Sequence, residues 1–130
     1  MKQELIYVEL KSGHSDNGPA WIGYKGSSKS GATIYFNGMA FKSLKGTGIG
    51  ANYYECETGD QYWISGVKKN GSDRHWAGNG DILIDKNAVK DYLDIRGLRA
   101  LPKTLVPIEL KPSVPSLDFL ENENMVKDFE

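Results

Sequence analysis

A chain of 130 residues with 16 basic and 17 acidic side chains is close to neutral, so no global charge draws it to a polyanion or an anionic membrane. At this length one modest core is available, burying about 60–70 % of the unfolded surface. The single cysteine, Cys56, excludes an internal disulfide framework and fits a reducing cytoplasm.

No apolar run approaches a membrane span, and the opening residues carry Glu4 and Glu9 where a secretory leader is apolar. A soluble cytoplasmic protein without cofactor or metal is expected. Glycine and proline then divide the chain. Of the 15 glycines, 14 lie between Gly13 and Gly80, while four of the five prolines lie between Pro102 and Pro115. Frequent tight turns follow for the first region and extended, ladder-poor chain for the second. This predicts an antiparallel β domain with a late helix over residues 1–100 and a Pro-rich linker with an acidic amphipathic tail over residues 101–130.

In "ELIYVELK" strict alternation puts Ile6, Val8 and Leu10 on one face and Tyr7, Glu9 and Lys11 on the other, the period of a half-buried strand. "AWIGY", residues 20–24, reads as a second strand. In "ATIYFNGMAFKSL" the pair Asn37-Gly38 is a strong hairpin signal, because both turn residues need positive φ. The register follows: Phe36 opposes Met39 and Ile34 opposes Phe41, leaving Thr33, Tyr35, Ala40 and Lys42 on the opposite face. "NYYECE" and "QYWISGVKK" form a second hairpin through Thr58-Gly59-Asp60, and Asn70-Gly71 predicts a third with "SDRHWA". "DILID" is the last predicted strand. Asp85 caps a helix over residues 86–96, with Ala88, Val89, Tyr92 and Ile95 near helical spacing and Gly97 as its stop. The expected fold is mainly β (α+β), a small antiparallel SH3-like barrel or roll with one C-terminal helix and an extended Pro-rich acidic tail.

"KKNGSDRHWAGNG", residues 68–80, is the densest chemistry in the chain. A two-residue turn at Asn70-Gly71 makes Lys68 oppose Asp73 and Ser65 oppose Trp76. Asp73, His75 and Lys68 then share one face, and Arg74, Trp76, Ser65 and Trp63 the other. On the first face Asp73 could orient His75 as an acid–base pair, set against an ordinary Lys68–Asp73 cross-strand pair. No nucleophile completes a triad, so no catalytic residue is assigned. On the second face Trp63, Trp76 and Arg74 could form a stacking platform, set against aromatic core covered by an arginine stem. Lys68 and Lys69 join these as candidate binding residues.

The glycines of "KGTGIGANYY", residues 45–54, are followed by a tyrosine-rich strand instead of the helix that a phosphate loop requires, and read as loop or bulge. His14, His75 and Cys56 lack metal-ligand spacing. Glu55, Glu57 and Asp60 read as solvated charge at a hairpin tip. Seven basic against four acidic residues over residues 20–80 is a small excess for nucleic-acid binding. "SLDFLENENMVKDFE" is acidic and amphipathic, fit for a partner or a sister chain, or for disorder.

"GPAWIGY", "SGATIYFNGMAF" and "ANYYECETGDQYWISGVKKNGSDRHWAGNGDILID" together resemble a group of small uncharacterised bacterial proteins, some described as 1-deoxy-D-xylulose-5-phosphate synthase. The resemblance covers about Tyr7 to Tyr92. That synthase is several times longer and uses thiamine diphosphate with a diphosphate-and-magnesium motif this chain lacks. The resemblance therefore implies a shared compact scaffold and assigns no activity.

The leading expectation is a non-enzymatic module presenting the Trp63/Arg74/Trp76 side, or its glycine loops, to a partner protein. A small hydrolase or transferase using Asp73 and His75, and a nucleic-acid-binding barrel, are the alternatives.

Overall fold

The computed structural model of the chain describes residues 4–14, 17–45, 50–74, 78 and 80–115. Its strands are β1 (Leu5–Leu10), β2 (Ala20–Tyr24), β3 (Gly26–Ser27), β4 (Thr33–Phe36), β5 (Met39–Ser43), β6 (Tyr53–Glu55), β7 (Gln61–Gly66), β8 (Ile82–Asp85) and β9 (Leu105–Ile108). A 3-10 turn, Lys86–Ala88, leads into the helix α1 (Val89–Arg96). The strands form one sheet in the order β3-β4-β5-β6-β7-β1-β2-β8-β9, curled into a half-barrel.

The β4–β5 hairpin has the register that the alternation dictates, with Ile34 opposite Phe41 and Phe36 opposite Met39. Its turn residues Asn37 and Gly38 sit at φ 50° and 76°, the left-handed pair that matches the twist of two strands. Slipping by one residue would turn Phe36 and Phe41, both fully buried, out of the curl and onto the face that carries Thr33, Tyr35 and Ala40.

β1 lies inside the sheet, flanked by β2 and by β7, both antiparallel. Its two faces feed two cores. Ile6 and Val8 meet Ile34, Phe36, Phe41, Tyr62 and Ile64; since β4 and β5 stand several places from β1 in the strand order, this cluster lies inside the curl. Leu5 and Tyr7 meet Ile22, Ile84, Ala88, Tyr92 and Leu105 on the other face, under α1. The strand expected to be half-buried is therefore enclosed on both sides.

The wholly antiparallel expectation needs correction. β8 pairs parallel with β2, and β9 parallel with β8. Parallel neighbours require a crossover connection, and β8, α1 and β9 supply one as a βαβ unit. The Asp85 carboxylate accepts the Asn87 amide at 3.0 Å to start the crossover, and Gly97 at φ 66° ends the helix. Residues 101–115 are thus no linker beside a finished domain. Pro107 is accommodated because β9 is an edge strand, where one missing donor faces away from the ladder. The predicted acidic tail, residues 116–130, lies outside the described residues.

A tether joins sheet to helix: Tyr24 Oη donates to Asp91 Oδ2 at 2.6 Å. That bond, with burial, raises the Tyr24 hydroxyl from 10.0 to about 12. Because folding favours the protonated phenol, its contribution is whole below pH 10 and is lost as pH rises through 12. Tyr24→Phe is expected to cost about 1 kcal/mol at neutral pH, allowing for the partial exposure of the pair. Urea midpoints followed from pH 8 upward should show the wild-type advantage over the variant disappearing at the alkaline end.

Candidate functional site

Two places carry more chemistry than their strands need. The first is a buried charge cluster on the α1 face of β1 and β7. Alternation puts Glu9 on the same face as Tyr7, and both are essentially inaccessible, at 1 % and 0 % exposure. A carboxylate buried so deeply requires partners. The Tyr7 hydroxyl donates to Glu9 Oε1, Lys11 Nζ lies 2.9 Å from Oε2, and an Arg74 nitrogen lies 3.6 Å from the same oxygen. Arg74 also donates to the Gly18 carbonyl at 3.1 Å. Burial, and the hydrogen bond to Glu9, push the Tyr7 hydroxyl far above its ordinary value.

Asp73 approaches the same region. It is buried, and Oδ1 accepts the Lys68 amide at 2.8 Å. Burial raises its carboxyl above the ordinary aspartate value, against the lowering effects of that amide, Lys68 and Arg96. Both Arg74 and Asp73 act electrostatically on the Tyr7 hydroxyl. Arg96 donates to Tyr92 Oη at 2.7 Å and lies flat against Gly71, where a Cβ would fall 2.6 Å from the guanidinium carbon. The cluster ties the loop over residues 67–74 to the sheet and to the helix.

Among the described residues, the predicted third hairpin forms no ladder. Gly71 N donates to Lys68 O, so the turn runs from Lys68 to Gly71, and β7 ends at Gly66. Ser65 and Gly66 pair with Tyr7 and Ile6 of β1, which occupies the ladder position expected for "SDRHWA". Without a ladder, the pleat no longer separates Asp73 from Arg74.

Trp63 stands directly opposite Glu9 and packs, half-buried, on the α1-side core. Arg74, with 8 % of its side chain exposed, is placed against Glu9 as an internal ion partner. Lys68 and Lys69 are exposed, and Lys68 Nζ donates to Ser72 O at 3.2 Å. His75 and Trp76 lie outside the described residues, as does the acid–base pairing predicted for His75. Among the described residues, no His, Cys, Asp and Glu side chains gather as metal ligands. Glu55, expected to be solvated, is buried and accepts the amides of Ala40, Glu57 and Thr58. It closes the turn between β6 and β7.

The second place is a groove between β2, β3 and the β4–β5 turn. Residues 110–113 lie along it. Leu110 fills the hollow over Gly23 beside Phe36, where a Cβ on Gly23 would come within 2.9 Å of Leu110 Cδ1. The Lys111 amide donates to Asn37 Oδ1 at 2.9 Å, and the Lys111 stem covers Gly38. Ser113 Oγ donates to the Tyr24 carbonyl at 3.0 Å. A Cβ on Gly26 would stand 1.9 Å from Ser113 O, so only glycine permits this approach.

Leu110 is only partly buried, so it contributes less than the about 1.5–3 kcal/mol of a fully buried leucine, and each hydrogen bond contributes about 0.5–1.5 kcal/mol net. Fixing the backbone costs about 1–2 kcal/mol per residue, somewhat less at Pro112, whose φ is preset. The two sides nearly cancel, so the segment beyond β9 is held marginally. Sequence reading missed this groove because its walls come from Gly23, Gly26 and Asn37 and its occupant from residues more than 70 positions later; the nearest signal was the concentration of glycine.

No protein-family model, curated protein or solved structure matches the chain. Among the described residues, no helix is long and apolar enough to cross a membrane.

Proposed function

We propose that this protein is a small non-enzymatic binding module that receives an extended segment of a partner protein in the groove along Gly23, Gly26 and the Asn37-Gly38 turn. One observation carries the reading: the groove already holds residues 110–113, through one apolar anchor and hydrogen bonds to a side-chain amide and a main-chain carbonyl. Extended-peptide recognition elsewhere uses the same elements, main-chain-level bonds for affinity and a side-chain hollow for selectivity.

The enzymatic alternative loses support from the anchoring of Asp73 on the Lys68 amide, which commits that carboxylate to closing a turn. The nucleic-acid alternative loses Arg74, whose charge is balanced by Glu9.

The test is selection of peptides from a displayed random library against the full chain, followed by amide chemical-shift mapping of the selected peptides. Shifts concentrated at Gly23, Tyr24, Gly26, Asn37 and Gly38 are expected. Failure to select any peptide, or mapping to the Lys68–Gly71 turn instead, would reject the reading.

A further inference from the structure

Resting on that reading, we infer that residues 110–113 are a resident pseudo-ligand, and that the groove's partner is an extended segment with the order large apolar, long-stemmed basic, proline, hydroxyl residue, which must displace them.

Each position follows from a contact. The first must fill the hollow over Gly23 against the edge of Phe36, which leucine does from within van der Waals reach; a charged residue would be buried there without a partner. The second must give its amide to Asn37 Oδ1 and lay an unbranched stem over Gly38. Lysine and arginine do this with the charged head in water, and Lys111 is exposed. The third donates nothing in the groove, which suits proline and its preset extended backbone. The fourth needs a hydroxyl for the Tyr24 carbonyl and a main chain close against Gly26.

A partner is favoured over a second copy of this chain as the displacing agent. A second copy would bring the same four residues and the same contacts, and would lose to the tethered segment, whose effective concentration is on the order of millimolar. A foreign segment can succeed by fitting better or by reaching further along the groove.

The experiment uses the full chain and the peptide ELKPSVP, the sequence of residues 109–115, with binding read from the amide shifts of Gly23, Gly26 and Gly38. Leu110→Asp in the chain should unseat the resident segment while leaving the groove walls unchanged, and should tighten peptide binding at least tenfold. The same change placed in the peptide should weaken binding at least tenfold. Ser113→Ala, a milder release, should give a gain of about threefold and serves if the first variant does not fold.

A folded Leu110→Asp chain, or a folded Ser113→Ala chain, that binds no tighter than wild type would overturn the inference. If library peptides occupy the groove without the four-residue order, the module reading stands and the pseudo-ligand assignment falls. If no peptide reaches the groove in any variant, both fall.

Discussion

Replacing Arg74 with methionine is expected to remove about 3 kcal/mol of stability, near the lower end of the cost of breaking a buried ion pair from one side. Methionine keeps much of the stem volume, so the loss reports charge and hydrogen bonding. Among the described residues, Glu9 would remain buried with Lys11 and the Tyr7 hydroxyl, and the Gly18 carbonyl would lose the Arg74 donor. Urea unfolding followed by tryptophan fluorescence measures the loss directly. Adding Glu9→Gln should recover part of it, because the second change removes the charge that the first one stranded. A loss under about 1 kcal/mol would restore Arg74 to the exposed platform expected from alternation, since surface pairs contribute at most that much.

Phe36→Ala should cost about 3–5 kcal/mol, the range for emptying an aromatic site in a packed core. Phe36 is fully buried inside the curl, among Ile6, Val8, Ile34, Phe41 and Ile64. Its ring edge also bounds the hollow that seats Leu110. Domains of this kind have about 5–15 kcal/mol in total, so the variant should lie close to the unfolding threshold at 37 °C. Thermal melts with matched calorimetry are the check. A change under about 1.5 kcal/mol would mean that the cavity collapses, and that the curl is looser than its burial implies.

What the sequence reveals here depends on distance along the chain. The register of β4 and β5 is legible because two turn residues and eight alternating ones specify it locally. The Asp85 cap and the Gly97 stop are legible for the same reason. The Asn70-Gly71 signal correctly marks a reversal, but a reversal does not oblige its arms to pair. β1, more than 50 residues earlier, provides a longer ladder for β7.

Glu9 illustrates the same limit. Next to Tyr7 and Lys11 it has the alternation of a wet face, and its burial depends on Arg74, 65 positions on. Proline argued against regular structure over residues 101–115, yet a parallel edge strand tolerates one proline, and the helix before it sets that direction. The groove was least legible, because its occupant and its walls come from opposite ends of the fold.

The interior position of β1 has a consequence for synthesis. β1 leaves the ribosome before the strands it pairs with, but the neighbour on its far side, β7, is not made until more than 50 residues later, and β8 and β9 come later still. The β4–β5 hairpin can form early from its own turn, while the heart of the sheet waits for most of the polypeptide. Until then Ile6 and Val8 are unshielded, and a holding chaperone would find its target in β1 of the nascent chain.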